Sequence, residues 1–501
     1  MTKFALYEIG TTYVRLTLAK GVLGEHFQIY KVLSEPIYIN QHIEKDGMIK
    51  SAKIHHVVTI LKMYRKICDA QGVTDVTCVA ANNLTIAKNY RSFIDEIGSS
   101  ISQEFKMLTP EEEDNFVFRA VANTLGVAKG VIINISSFST RIIHYCRRMI
   151  LASVTIPYGS VSLFEKAENN PIVATDLFLK ELEKNAPFLK NLDPEMQIVG
   201  VGDAVTSFSR LARKMTKYPI DSDHNYAADK TTFTKVFELI SGLDMEKRQK
   251  IKGISEYSAR TILCGLCILD AVFKHSNVDT IVTSSAYRSV GILFDTIVPI
   301  TKERPVNDLL TYSLDCILDH AQIDREASRR HYDLSAMLFK QIRVLHKLPR
   351  TYSKVLRIAS NLYYLGGSVN NYHAILAAPI MGASGKEIAL AAFAASFKKW
   401  EDFNLSEWLR YKDIATDDDL EAVRKIAMIL SLAEAFDIRG KEIIKDISCD
   451  MLGDSVILKL ITDTENNLIK DDVGAVDVEI FHASKYYREF KNTFKKVLEL
   501  L

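Results

Sequence analysis

The run from Leu108 to Tyr145, LTPEEEDNFVFRAVANTLGVAKGVIINISSFSTRIIHY, limits the possible folds more than any other part of the chain. Thr109, Pro110 and Glu112 form a capping box with proline at the first helical position, so a helix begins there. Its first turn carries Glu111, Glu112 and Glu113, where unpaired backbone N–H groups favour negative charge. After Gly130 the apolar run Val131 to Ile135 predicts a buried strand, and Thr140 to Tyr145 predicts a second. Only Ser136 to Ser139 lie between them, so the chain must reverse there. A capped acidic helix leading into a tight strand-turn-strand places a ligand site between the two.

The remaining segments read as support for that site. Residues 4 to 33 alternate as FALYEIG, VRLTLA and FQIYKVL, which predicts an antiparallel meander. A helix over Ala52–Ala70, a strand over Val76–Ala81 and a helix near Ala87–Ile97 follow. The second half repeats the plan with VIINIS, TRIIHYC and ILASVTIP, then strands at Gln197–Val201 and Asp279–Thr283. From about Arg304 the periodicity turns helical, through Arg304–Leu318, Ile323–Leu345, Tyr352–Leu365 and Lys386–Trp400. Strands at Glu442–Ser448 and Asp454–Ile461 and a helix over Ile480–Leu500 close the chain. The expected division is 1–127 and 128–303 for two α/β lobes, 304–440 for a helical domain and 441–501 for an α+β module.

Composition narrows the classes of partner. Formal net charge is +1, so the molecule as a whole does not attract nucleic acid. No window reaches the roughly eighteen uninterrupted apolar residues of a membrane span, and MTKFALYEIG lacks an apolar signal core, so the expectation is a cytoplasmic protein. Seven cysteines among apolar neighbours, including Cys264 and Cys267 within one helical pattern, read as reduced core residues. Two basic groups could offer a track for a long anion or simply a solvated face. They are Arg210, Arg213, Lys214 and Lys217, and Lys340, Arg343, Lys347, Arg350, Lys354 and Arg357.

Several short motifs resemble the exopolyphosphatase and guanosine pentaphosphate phosphohydrolase (Ppx/GppA) family. Tyr7-Glu8-Ile9-Gly10-Thr11-Thr12-Tyr13-Val14-Arg15-Leu16 is similar to the opening D-I-G-S-N-S-F-R-L, and Asn134 to Arg141 to the loop D-I-G-G-G-S-T-E. Ala80 to Asn89 resembles A-T-S-A-L-R-E-A-x-N, Pro157-Tyr158-Gly159 through Leu163 resembles P-x-G-x-x-x-L, and Gly200 to Asp203 stands where G-x-G-G is usual. Ser284 to Gly291 stands where S-D-A-G-L-R-E-G is usual. The resemblance implies two actin-like (ribonuclease H-like) lobes with the ligand between them, an HD-like helical domain and a homodimer joined through that domain. It implies Glu113 as general base and Glu8 and Asn134 as ligands of Mg²⁺. Phosphate contacts are implied at Gly10, Thr11, Thr12 and Arg15, at Ser136, Ser137, Ser139 and Thr140, and at Gly202.

Departures from those motifs fall on the phosphate-facing segments. Glu8 replaces aspartate, Asn134 replaces an anionic metal ligand, and Ser136, Ser137 and Phe138 replace three glycines whose N–H groups could converge on phosphate. A phenylalanine ring there fills the phosphate space or reshapes the turn. Thr85 stands for an arginine and Asp203 for the second glycine of its motif. In the helical segment Leu362-Tyr363-Tyr364-Leu365-Gly366 and Asn370-Asn371-Tyr372-His373-Ala374 replace L-H-D-I-G and H-H-K-H-S, so no metal is expected, and His331 and His373 are expected to be partly buried. The chain thus reads as a family scaffold binding inorganic polyphosphate or a guanosine tetra- or pentaphosphate, with terminal phosphoanhydride hydrolysis weakened or lost. An active Mg²⁺-dependent hydrolase using Glu113, and a protein-binding scaffold whose cleft is closed by Phe138, are the alternatives.

Overall fold

The first strand is buried on both faces from Phe4 to Ile9, and the first sheet grows on either side of it. A computed structural model describes residues 1–39, 43, 46–147, 149–193, 195–252, 254, 256–298, 306, 308–367, 371–462 and 474–501. The chain falls into two units, residues 1–217 with 221–309, and residues 218–220 with 310–501.

The first unit holds two sheets of matching design. β1 (Thr2–Ile9), β2 (Tyr13–Val22) and β3 (His26–Pro36) form the expected meander. After α1 (Ser51–Gln71), β4 (Asp75–Ala80) lies parallel to β1. α2 (Tyr90–Ile101) and the short β5 (Lys106–Met107) complete the order β3-β2-β1-β4-β5. α3 (Pro110–Ala122) leads to the second meander of β6 (Lys129–Ile135), β7 (Thr140–Cys146) and β8 (Met149–Ile156). α4 (Ser160–Ala167) and α5 (Pro171–Asn185) precede β9 (Gln197–Val201), which lies parallel to β6. α6 (Asp203–Met215), β10 (Tyr226–Asp229), α7 (Lys230–Ser241), α8 (Met245–Gln249) and α9 (Glu256–His275) follow. β11 (Thr280–Ser284) lies parallel to β9, and α10 (Arg288–Ile297) follows it. The second order, β10-β11-β9-β6-β7-β8, repeats the first with β10 added at one edge.

Two close approaches position the cleft. Gly159 packs on the β6-β7 turn, where a Cβ would overlap the Ser136 carbonyl oxygen, and this accounts for the glycine of the P-x-G motif. Gly291 packs on α3, where a Cβ would overlap the Phe116 carbonyl oxygen. Glu113 lies three residues before Phe116 and Arg288 three before Gly291, and those two side chains are paired at 2.7 Å. Arg119 pairs with Asp295 farther along. Matched spacing on both helices means that α3 and α10 run parallel, in a register that Gly291 permits.

The second unit is mainly helical. Leu309–His320, Arg325–Gln341, Tyr352–Asn361, Gly385–Ala394 and Asp417–Phe436 are its longer helices. The helix expected from Arg304 begins, within the described residues, at Leu309; Arg304 and Asn370 lie outside them. A three-stranded sheet of Ile444–Leu452, Ser455–Thr462 and Val497–Leu500 follows. The single helix expected over Ile480–Leu500 is instead Asp477–Ser484, Tyr487–Phe494 and that last strand. Lys495 in the left-handed region ends the second helix, and Val497–Leu500 then pairs parallel with Ser455–Leu458. His331 is fully buried, not partly, with Nδ1 3.0 Å from the Ser360 carbonyl and Nε2 3.1 Å from that of Leu430. His373 is exposed.

Among the described residues no helix is long and apolar enough to cross a membrane. Seven cysteines are free and five of them are buried, and burial pushes the Cys264 and Cys267 thiols up to about 12. Ellman's reagent should therefore titrate at most Cys146 and Cys449 in the native chain and all seven after denaturation. Gly291→Ala is expected to lower stability in urea unfolding by about 1–3 kcal/mol. Gly126→Ala, where a Cβ meets nothing within 4 Å, is the control and should not.

Candidate functional site

Each sheet ends its first hairpin in the same turn, and the two tips face each other. Gly10 N–H donates to the Tyr13 carbonyl at 3.1 Å, and Ser136 N–H donates to the Ser139 carbonyl at 3.0 Å. Between the tips, the Thr12 and Ser137 hydroxyls lie 3.2 Å apart. The serines that replace glycine thus keep the turn tight, because the Ser136 hydroxyl also donates to the Ser139 carbonyl at 2.7 Å.

The tips open onto a cleft of about 360 Å³. It is lined by Glu8, Gly10, Thr11, Thr12 and Arg15, by Glu113, and by Asn134, Ser136, Ser137, Ser139 and Gly202. Eleven of the twelve residues singled out from sequence are therefore brought together. Thr140 is the exception: it is fully buried, and its hydroxyl donates to the Tyr158 carbonyl at 2.8 Å. Phe138 does not line the cleft, so the expected filling by its ring is not seen. Thr85 also stands apart, with its hydroxyl on the Asn82 carbonyl.

Glu113 is buried and fully engaged. Arg141 Nη2 lies 2.6 Å from its Oε2, Arg288 Nη1 lies 2.7 Å from its Oε1, and Asn82 N–H donates to Oε1 at 3.1 Å. Arg141 also reaches Asp114 at 2.5 Å, and the Ser153 hydroxyl donates to the same carboxylate. Arg288 Nε lies 3.3 Å from Glu8 Oε1, so one guanidinium spans Glu8 and Glu113. Glu8 Oε2 is buried without a hydrogen-bond partner among the described residues. Arg15 lies over the Tyr287 ring at 5.4 Å, and burial pushes the Tyr287 phenol up to about 12.

These contacts test the expected Mg²⁺ set. A hard dication needs several free oxygens, yet Glu113 has both carboxylate oxygens on arginine, and a guanidinium already stands between Glu113 and Glu8. Glu8 Oε2 and the Asn134 amide do not make up the deficit, and a dication would meet Arg288 at close range. The residues present do not fit the ion.

Sequence reasoning missed Arg141, Arg288, Asn82 and Asn83. Arg141 was readable, since it stands where the resembled loop ends in glutamate and so reverses a charge. Arg288 was not, because only the α3-α10 contact brings it to Glu113. Asn83 donates to the Thr11 hydroxyl at 3.1 Å and stiffens the first tip. In the first basic group Arg213 is buried against Asp221 and Asp223, Arg210 pairs with Asp223, and Lys214 donates to the Lys252 carbonyl. In the second, Lys354 pairs with Glu387, and the exposed Lys340 and Arg343 stand on two successive helices, with Lys347 and Arg350 in the loop that follows.

Comparison with known proteins places these features. The chain is 23% identical over 311 residues to a bifunctional 3-dehydroquinate synthase/phosphatase of Fusobacterium nucleatum, covering 58% of this chain but only 46% of that one. It is 18% identical to a guanosine-5'-triphosphate,3'-diphosphate pyrophosphatase of Aeromonas salmonicida, over 72% of each. Exopolyphosphatase 2 of Mycobacterium tuberculosis is 22% identical over 55% of this chain and 91% of that one. Among solved structures, an Aquifex aeolicus Ppx/GppA member superposes with a TM-score of 0.54 at 22% identity, over 60% of this chain and 99% of that one. An exopolyphosphatase from Cytophaga hutchinsonii gives 0.54 at 16%, over 59% and 98%. Both superpositions speak to the fold alone, which is α/β. The model of the Ppx/GppA phosphatase family matches residues 22–297, more than half of the sequence, and the chain belongs to that family.

Proposed function

We propose that this chain binds a phosphoanhydride chain, inorganic polyphosphate or a guanosine tetra- or pentaphosphate, between its two lobes, and that terminal hydrolysis is lost or strongly weakened. The observation that carries the second half is the occupation of Glu113. A general base must accept a proton from a water within hydrogen-bond reach, and here each carboxylate oxygen is held by an arginine instead.

Binding rests on different groups. Among the cleft-lining residues Glu8, Glu113 and Asp203 offset Arg15, Arg141 and Arg288, so charged side chains cancel formally. What remains are hydroxyls on Thr11, Thr12, Ser136, Ser137 and Ser139, and the first turns of α6 and α10 at Gly202 and Arg288. Helix N-termini and hydroxyls favour anions without adding net charge. The first turn of α4 contributes less, because Ser160 and Val161 N–H groups already donate to the Ser136 and Ser137 carbonyls. The open cleft, with Phe138 outside it, supports ligand entry over the closed-scaffold reading.

Calorimetry with polyphosphate and with guanosine tetraphosphate should give heat; silence from both at millimolar ligand ends the proposal. In parallel, phosphate release in Mg²⁺ should stay at background and should not change in Glu113→Gln. Brisk release that this variant abolishes would instead establish the active-hydrolase reading. Arg141→Ala leaves Glu113 and Asp114 short of a buried partner, and stability should fall by about 3 kcal/mol or more in denaturant unfolding.

A further inference from the structure

The place between Glu8 and Glu113 holds a cation of the protein's own. We infer that the Arg288 guanidinium is a tethered replacement for a divalent ion, so that the cleft recognises its anion without divalent metal, and that removing the guanidinium uncovers a divalent-cation site. This deepens the binding reading above and rests on it only for the identity of the anion.

Geometry and charge both point there. Arg288 donates from Nε to Glu8 at 3.3 Å and from Nη1 to Glu113 at 2.7 Å, linking β1 to α3 as a bridging ion would. The cluster of Glu8, Glu113 and Asp114 with Arg141 and Arg288 keeps one formal negative charge, and Glu8 Oε2 is buried without a partner. Deleting Arg288 raises that excess to two, strips Glu8 Oε1 of its cation and leaves Glu113 Oε1 with only the Asn82 N–H, with the Asn134 amide on the same cleft wall. Two carboxylates and an amide oxygen are ligands that Mg²⁺ and Mn²⁺ accept. Arg288 is set by the helix that Gly291 locks onto α3, so it is held there by packing as well as by charge.

Mn²⁺ is the probe, followed by loss of the free-ion signal in electron paramagnetic resonance. The wild-type chain should show no stoichiometric cleft site. Arg288→Met should bind Mn²⁺ about tenfold or more tighter than wild type. Glu8→Gln added to Arg288→Met should remove that gain. No gain in a folded Arg288→Met chain overturns the inference. If Arg288→Met does not fold, the wild type decides: a stoichiometric Mn²⁺ site that Glu8→Gln removes overturns the inference, and its absence supports it. Polyphosphate should also give heat in EDTA, and binding that EDTA abolishes and Mg²⁺ restores counts against the tethered cation. Silence from polyphosphate under both conditions sinks the proposed function while the Mn²⁺ titrations still decide this inference.

Discussion

One carboxylate shared by two guanidinium groups governs this cleft. Glu113 stands in the first turn of α3, where the capping box of Thr109 and Glu112 fixes the backbone, with the Glu112 N–H donating to the Thr109 hydroxyl at 3.2 Å. Arg141 approaches it from β7 and Arg288 from α10. Three elements distant in sequence thus meet on one side chain. Such a buried cluster is held by mutual need: each ion alone would be costly in that setting, and each is tolerable only with the others in place.

The two hairpin tips show how a duplicated plan can hold while its chemistry changes. Both turns close with the same backbone hydrogen bond, from Gly10 to Tyr13 and from Ser136 to Ser139. Serine at the second tip supplies a hydroxyl that ties the turn to itself, so loss of glycine does not open the loop. A glycine-rich loop offers converging N–H groups; this one offers hydroxyls. Within the helical unit a comparable arrangement recurs, where Lys398 pairs with Glu434 and Arg330 with Asp437. In both places a basic side chain of the protein satisfies its acidic residues.

Much of the fold was legible because it follows from local rules. Short apolar runs separated by turn residues marked the two meanders, and the Thr-Pro-Glu-Glu run marked the start of α3. Val497 to Leu500 fits either period, and only pairing with Ser455–Leu458 makes it a strand rather than the end of a helix. For the cleft, residues on the two hairpin tips were legible as motif positions. Thr140 was not, since adjacent strand residues point to opposite faces and its hydroxyl turned toward Tyr158.

The sequence by itself determined the two repeated meanders, the capped acidic helix, the serine-bearing turn and the reversed charge at Arg141. Tertiary structure alone decided that Arg288, far along the chain from both Glu8 and Glu113, would lie between them. The reason is steric: without a Cβ at Gly291, α10 can rest against the Phe116 carbonyl, and no local pattern encodes where two distant helices will touch.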